Sequence, residues 1–386
     1  MRLTTLITLA LACVLTSHAQ TKSSSSAVGP VEFRKIKVSS ETYESVGVAD
    51  INNDGHLDLV SGAFWYEGPH FVQRHFIAEI NRVQEYWDDF ATILIDVNKD
   101  GKMDIVTGGW FEATLYWLEN PGNNKPWKRH VIDKTGNIET ARGFDLDGDG
   151  LVEIIPNTPN QPLKYYKLQA NTRDNSDARF TKVDIAPTHG HGLGFGDING
   201  DNRIDIVIDK GWLEAPNQPN GKWILHEDFD FGHASIPILI VDVNKDGLND
   251  LIVGQAHGYG LDWYEQQPSS NGKQSWKKHI IDANNSQYHS MEWVDIDGDG
   301  EMELVTGKRF RAHNGGDPGA NDPYGLYYFK WNGESFTKNI ISYGPVGEGK
   351  GAGIYFSIAD LRGTGRQDVI VAGKDGLYIF YNEGRK

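Results

Sequence analysis

One acidic nine-residue pattern, D-x-[D/N]-x-D-G-x-x-[D/E], recurs along the whole chain and limits what it can fold into. It places Asp50, Asn52, Asp54 and Asp58 in the first copy, and Asp96, Asn98, Asp100 and Asp104 in the second. The third copy has Asp145, Asp147, Asp149 and Glu153, and the fourth has Asp197, Asn199, Asp201 and Asp205. The fifth has Asp242, Asn244, Asp246 and Asp250, and the sixth has Asp295, Asp297, Asp299 and Glu303. A worn seventh copy runs from Asp360 to Asp368, with Arg362 and Thr364 at its third and fifth positions. The copies start 46, 49, 52, 45, 53 and 65 residues apart. A period of this length belongs to repeat architectures, in which each unit buries its apolar face only against its neighbours.

The loop chemistry is that of a hard cation. Oxygen side chains at positions one, three, five and nine converge on one Ca²⁺ or Mg²⁺ ion, a carbonyl at position seven adds a ligand, and Gly at position six permits the sharp turn. In copy four Asn202 replaces that glycine, and Asn tolerates the left-handed turn. Copy seven is expected to hold no ion, with Arg362 supplying positive charge instead. The EF-hand reading fails, because it needs Glu at position twelve, and that position holds Ser61, Thr107, Pro156, Ile208, Val253 and Thr306. The flanks are short β-branched runs such as TILID before the loop and MDIVTG after it, which read as strands.

An aromatic run follows in each unit (FWYEG, LYWLENP, LDWYEQ), and then usually a fourth strand (WKRHVID, WKKHIID). Four strands repeated seven times predict an all-β, seven-bladed β-propeller over residues 30–386. The last copy stops after its third strand, GLYIFYNEG, and an orphan strand, Val31 to Ser39, stands at the beginning. That strand is expected to complete the last blade and close the ring. These units resemble FG-GAP/VCBS repeats, the calcium-loop propeller blades also found in integrin α-chains. The resemblance implies the fold and carries no reaction with it.

Residues 1–19, with Arg2 ahead of an apolar run and Ser17-His18-Ala19 at its end, read as a secretory signal peptide. Acylation at Cys13 is the weaker alternative, since Ala10 stands where a lipobox wants a larger aliphatic residue. Residues 20–29, rich in serine, read as a flexible tether. The expectation is a secreted or periplasmic protein that, once cleaved, lacks cysteine and relies on packing and metals for stability. The formal charge of −16 argues against nucleic acid and anionic membrane surfaces as partners. No second apolar stretch is long enough to span a bilayer. The sequence leaves the oligomeric state open.

Strand order then sorts the unusual residues. If the acidic loop joins strands one and two, residues leading into strand one and leaving strand two share the opposite face, near the central channel. Leading in are Tyr86-Trp87-Asp88-Asp89, Glu139, Arg142, His189, His191, His233, His289 with Glu292, and Lys350. Leaving are Trp65, Trp110-Phe111-Glu112, Asn157, Lys210, Trp212, His257, Tyr259, Lys308-Arg309, Arg311 and His313. The outer-strand histidines, His75, His130, His226 and His279, read as packed or solvated edge residues.

A lone loop histidine is usually structural. Six of the 13 histidines aimed at one channel, with Lys, Arg, Tyr and Trp beside them, point instead to a pocket. His191, His233 and His289 are placed closest to the reacting centre, then His189, His257 and His313, with Lys210, Tyr259 and Arg309 completing the wall. His189 and His191 alternate, so only one need point inward; the other reading of GHGLG is a tight turn with one capping histidine. Two or three histidines suit Zn²⁺ or a similar transition metal. Trp110 and Trp212 are candidates for stacking on sugar rings, with Glu112, Arg142 and Lys308 as further substrate contacts.

The stretch GHGLGFGDING…DKGWLEAP, with GKRFRAHNGGDPGANDPYGLYYF, resembles the propeller domain of fungal aldos-2-ulose dehydratase (1,5-anhydrofructose dehydratase) and its bacterial relatives. That resemblance implies elimination of water from a keto-sugar; the additional domains of the fungal enzyme are missing. Propeller polysaccharide lyases offer similar His/Tyr/Arg chemistry. In a lyase, His191 or His233 takes the proton next to a carbonyl, a metal or Arg309 holds the oxyanion, and Tyr259 protonates the departing oxygen. The competing class is a non-catalytic propeller that grips a glycan or protein through the same rim. A propeller phosphatase fits less well, because it wants carboxylates crowding the channel.

Overall fold

The computed structural model describes residues 29–169, 180–218, 221–268 and 273–385. The signal segment expected at 1–19, Cys13 and nearly all of the tether expected at 20–29 lie outside the described residues. Within them the chain forms seven four-stranded antiparallel sheets and one two-stranded hairpin. Blade 2 shows the unit: Ile93–Ile95, Asp104–Gly108, Leu115–Glu119 and Lys128–Asp133, with the acidic loop joining its first two strands. First strands touch between blades 1 and 2, 2 and 3, 4 and 5, 5 and 6, and 7 and 1, and apolar clusters join blade 3 to 4 and blade 6 to 7. Among the described residues no helix is long and apolar enough to cross a membrane.

The second strands are buried along their whole length, as DIVTG and DLIVG show, because neighbouring sheets cover both faces. The core therefore lies between blades. One cluster joins Ile93, Val106, Leu115 and Trp117 of blade 2 to Ala141, Ile154 and Tyr166 of blade 3. Outer strands alternate instead and leave single aliphatics exposed, such as Val131 and Ile280.

The outer histidines turn out to be tied into the blades. Trp65, Trp117, Trp212 and Trp263 each stack on the histidine directly across the strand pair, His75, His130, His226 and His279, with ring centres 4.0–4.3 Å apart. Each histidine Nε2 also bonds to a glutamate two residues beyond its tryptophan (Glu67, Glu119, Glu214 or Glu265) at 2.7–2.9 Å. Trp212 is therefore a buried pillar of blade 4, its Nε1 donating to Asp228, and no platform for a sugar.

Val31–Ser39 pairs antiparallel with Leu377–Arg385 and completes blade 7, as expected. The Val31 amide also donates to the Tyr328 hydroxyl of blade 6 at 3.1 Å. Deleting residues through Ser39 uncovers the whole edge of Leu377–Arg385, so the truncated chain should lose cooperative unfolding or aggregate. Calorimetry and light scattering read this out; a monomer with an unchanged Tm would refute closure through this strand.

Candidate functional site

The acidic loops come first, because they fix the blades that carry everything else. Each turn uses left-handed backbone at its fourth and sixth residues, as at Asn53 (φ 60°) and Gly55 (φ 88°), and Asn202 adopts the same conformation at φ 63°. The ninth-position carboxylates are fully buried. Where that residue is Asp, at 58, 104, 205 and 250, both oxygens accept backbone amides at 2.7–3.1 Å, one from the second loop residue and one from the end of the third strand. Where it is Glu, one oxygen takes the loop amide and the other turns toward the loop carboxylates.

Loops 3 and 6 accordingly bring acidic oxygens closest together, as Asp145/Asp147/Glu153 and Asp295/Asp297/Asp299. The Lys167 and Lys330 ammonium groups lie among them, Lys167 2.6 Å from Asp149 and Lys330 2.7 Å from Asp297. In loop 7 the Arg362 guanidinium reaches Asp368 at 3.2 Å, bringing the positive charge expected there.

On the opposite face a single repeat position builds the centre. Six residues ahead of each loop's first aspartate stand Glu44, Phe90, Glu139, His191, Ile236, His289 and Ile354. Backbone bonds stitch this ring from blade to blade: Ala234 N to His191 O, Ile236 N to His289 O, and Ile354 N to Glu44 O. Glu139, His191 and His289 point into the channel and meet His257, which leaves the second strand of blade 5. One ligand atom from each lies within 4.8 Å of all the others. Glu139 Oε1 is 3.1 Å from His289 Nε2 and 3.6 Å from His191 Nε2.

The other ring nitrogens settle what these imidazoles offer. His191 Nδ1 donates to the Ala234 carbonyl at 2.6 Å, and His257 Nδ1 donates to Asp317 at 2.9 Å. In the neutral rings both Nε2 atoms are then lone-pair acceptors, and they face each other at 3.2 Å. Two acceptors at that distance repel unless a cation lies between them. His289 Nδ1 is buried with no partner. Burial pushes His257 down to about 4 and His289 well below the usual range, so both stay neutral at ordinary pH. Burial would raise Glu139, but the nearby His191 and His289 rings and the Arg309 charge hold it well below the carboxylate range. Three imidazoles and one carboxylate, with His191 and His257 steered through their Nδ1–H groups, fit Zn²⁺ or a similar ion.

Arg309 is buried and bridges Glu44 and Glu139, 3.1 Å from each. On the far side of Glu44 sits Lys374, pushed down to about 8 by burial against the pull of Glu44. It donates to Arg311 O and lies 3.6 Å from the centre of the Tyr86 ring. A cavity of about 280 Å³ opens beside the cluster. Tyr86, Phe90, Trp110 and Phe111 form an aromatic wall, facing Glu139, Arg309 and His313, with Gln84 and Asn314 at the mouth. His313 is 58% exposed, stacks on His257, and is held through Nδ1 by Asp317 at 2.7 Å.

The residues expected at the site from sequence divide in two. His191, His257, His289, His313, Arg309 and Trp110 meet here, and His233 stands beside them, its ring centre 5.7 Å from that of His257. His189 is not brought in: both its nitrogens are spent on the neighbouring turn, at Thr158 N and Gln161 O, the capping role that the GHGLG motif also allowed. Lys308 is buried and holds the carbonyls of Gly319 and Asp322. Tyr259 donates to Asp322, away from the cavity. Arg142 crosses the channel to Ile236 O and Ser290. Glu112 pairs with Arg129, and Lys210 is exposed. Glu44, Asp317 and Lys374 were not anticipated from sequence. The constant offset from the acidic loop marks Glu44 and singles out Glu139, and Lys374 follows the ninth loop position by the same six residues as Arg309 and Trp110.

The FG-GAP-like repeat family matches residues 96–155 and 242–306. No curated protein matches the chain. Among solved structures, an Agrocybe aegerita lectin described for recognition of non-reducing terminal N-acetylglucosamine aligns with TM-score 0.48 and 16% identity, covering 78% of this chain and 80% of that one. The rhamnogalacturonan lyase YesW aligns with TM-score 0.47 and 13% identity, covering 92% of this chain and 74% of that one.

The loops carry a pH signature. Burial raises Asp205 and Asp250 to about 6, and Asp104 and Glu303 to about 7. With folded values above the ordinary ones, these carboxylates favour the fold most below pH 4 and least above pH 7, and a bound cation reverses that order. The Tm gained by adding Ca²⁺ over chelator should therefore grow from pH 5 to pH 8, each site contributing about 2.7 kcal/mol at 100 times its Kd. A gain that is flat or falls with pH would exclude these carboxylates as the ligands.

Proposed function

We propose that the protein is an exported carbohydrate-active carbon–oxygen lyase that eliminates water or an alcohol from a keto-sugar or similar saccharide in this cavity. One observation carries the reading. The imidazole–carboxylate cluster and a second, more exposed histidine held by a carboxylate border the same aromatic-walled space. The aromatic wall suits a sugar face, and the opposite wall is polar and charged. The sequence resemblance to aldos-2-ulose dehydratase points the same way.

The roles follow from placement. His191, His257, His289 and Glu139 would hold a divalent transition metal, which supplies Lewis-acid polarisation of a carbonyl oxygen. Arg309, fixed by two carboxylates, adds positive charge beside that oxygen. His313, its Nδ1–H held by Asp317, presents Nε2 as the base that removes the proton next to the carbonyl. As that C–H bond breaks a C=C bond forms, the C–O bond beyond it breaks, and the departing oxygen takes a proton to leave as water or alcohol. Burial keeps the Tyr86 hydroxyl protonated through neutral pH, and it lies on the cavity wall, so it is the donor. The base thus moves from His191 or His233 to His313, and the acid from Tyr259 to Tyr86.

Turnover is followed by ultraviolet absorbance of the unsaturated product on keto-sugars and uronate-containing glycans. His313→Ala should lower kcat about 10²–10⁴-fold even when saturated with metal, whereas His191→Ala and His257→Ala should lose the metal. Full turnover by His313→Ala would remove it as the base. If no saccharide is eliminated, but glycan binding is abolished by Trp110→Ala, the chain is a binding module.

A further inference from the structure

We propose that loading of the metal and closing of the cavity roof are one event, coupled through Asp317, which acts as a positioning residue; this rests on the metal reading above. Asp317 lies on an arm, residues 309–322, inserted between the second and third strands of blade 6. No other blade has a counterpart to this arm among the described residues.

The arm is held at three places. At its base Lys308 binds the carbonyls of Gly319 and Asp322, and Tyr259 binds the Asp322 carboxylate. At its middle the Asp317 carboxylate takes His257 Nδ1–H on one oxygen and His313 Nδ1–H on the other, at 2.9 and 2.7 Å. At its tip Arg311 forks onto Glu85, and Asn314 reaches the Tyr86 hydroxyl and Gln84, all on the small hairpin ahead of blade 2. Tip and hairpin together roof the cavity.

The tip is a costly conformation. Arg311, His313 and Asn314 all have left-handed backbone, with φ of 52°, 47° and 55°. Residues other than glycine hold such geometry only where surrounding contacts impose it. Those contacts include Asp317 on one side, and Glu85, Tyr86, Gln84 and Lys374 on the other. The carboxylate that strains the arm into place is also the one that fixes the His257 tautomer and aims its Nε2 at the cluster. An ion drawing on His257 Nε2 makes its Nδ1–H a stronger donor to Asp317, which tightens the arm. A docked arm in turn preorganises His257. Linkage requires the effect to be equal in both directions.

The test uses the full chain with Zn²⁺ or Co²⁺ alone. In the parent, Zn²⁺ should slow amide hydrogen exchange across residues 310–322. Asp317→Asn should weaken Zn²⁺ binding about 10–100-fold in chelator competition and shift the visible spectrum of saturating Co²⁺. Asp317→Glu should restore part of the affinity. Glu85→Gln, which frees Arg311 at the tip and also removes a charge 3.9 Å from Lys374, should by reciprocity also weaken Zn²⁺ about 5-fold or more. If the parent binds Zn²⁺ but exchange in the arm is unmoved and Glu85→Gln keeps full affinity, the coupling is wrong and the metal centre stands. If the parent takes up no transition metal, the metal centre itself is wrong and the coupling goes with it.

Discussion

Each blade depends on one buried carboxylate. The ninth loop residue sits at the start of the second strand and in blades 1 to 6 accepts the amide of the second loop residue; in most blades it also accepts an amide from the end of the third strand. It thus ties three strands at one point. A carboxylate at 0% exposure is costly to desolvate, and two amide bonds are what make it tolerable. Loss of either amide would leave a buried charge unpaired. With that corner fixed, the opposite end of the first strand is fixed too, and the centre is built at that end.

The bracket comes in two forms that covary within the chain. Asp58, Asp104, Asp205 and Asp250 go with Glu67, Glu119, Glu214 and Glu265 on the third strand. Glu153 and Glu303 go with Lys167 and Lys330 at the same place. Chain length explains the pairing. The shorter Asp reaches only the two amides and leaves the nearby Glu to be held by a histidine stacked on tryptophan. The longer Glu sends its second oxygen toward the loop carboxylates, where a lysine meets it.

The blades were legible because the loop returns in nearly unbroken form and its flanks alternate as strands do. Ring closure was legible because the last unit lacked one strand and the chain began with a spare one. The site was legible only by residue type. His189 and His191 look alike in HGHGLG, but only His191 stands at the repeat position that faces the channel, while His189 is spent on a turn. Trp212 looked like a rim aromatic; the glutamate two residues on and the histidine across the sheet mark it as a pillar. Asp317 had no such signal. It lies in an insertion without a repeat counterpart, and only the folded arm brings it to His257.

The charges around the channel explain why a carboxylate can serve there without cancelling the site's chemistry. Glu139, Arg309, Glu44 and Lys374 alternate in sign from the cluster outward. Burial raises the neighbouring Asp89 well above the carboxylate range, and the Glu44 charge adds to it. With Lys374 protonated, the four groups sum to zero, and the imidazole ligands add no negative charge. A divalent cation held by them therefore leaves the centre net positive. That is the electrostatic condition for stabilising an enolate oxygen in a site with little water. A second carboxylate in place of His191 or His289, at the same ring position, would halve that excess while still binding metal. Imidazole at these two positions thus keeps the proposed centre more electropositive than a second carboxylate would.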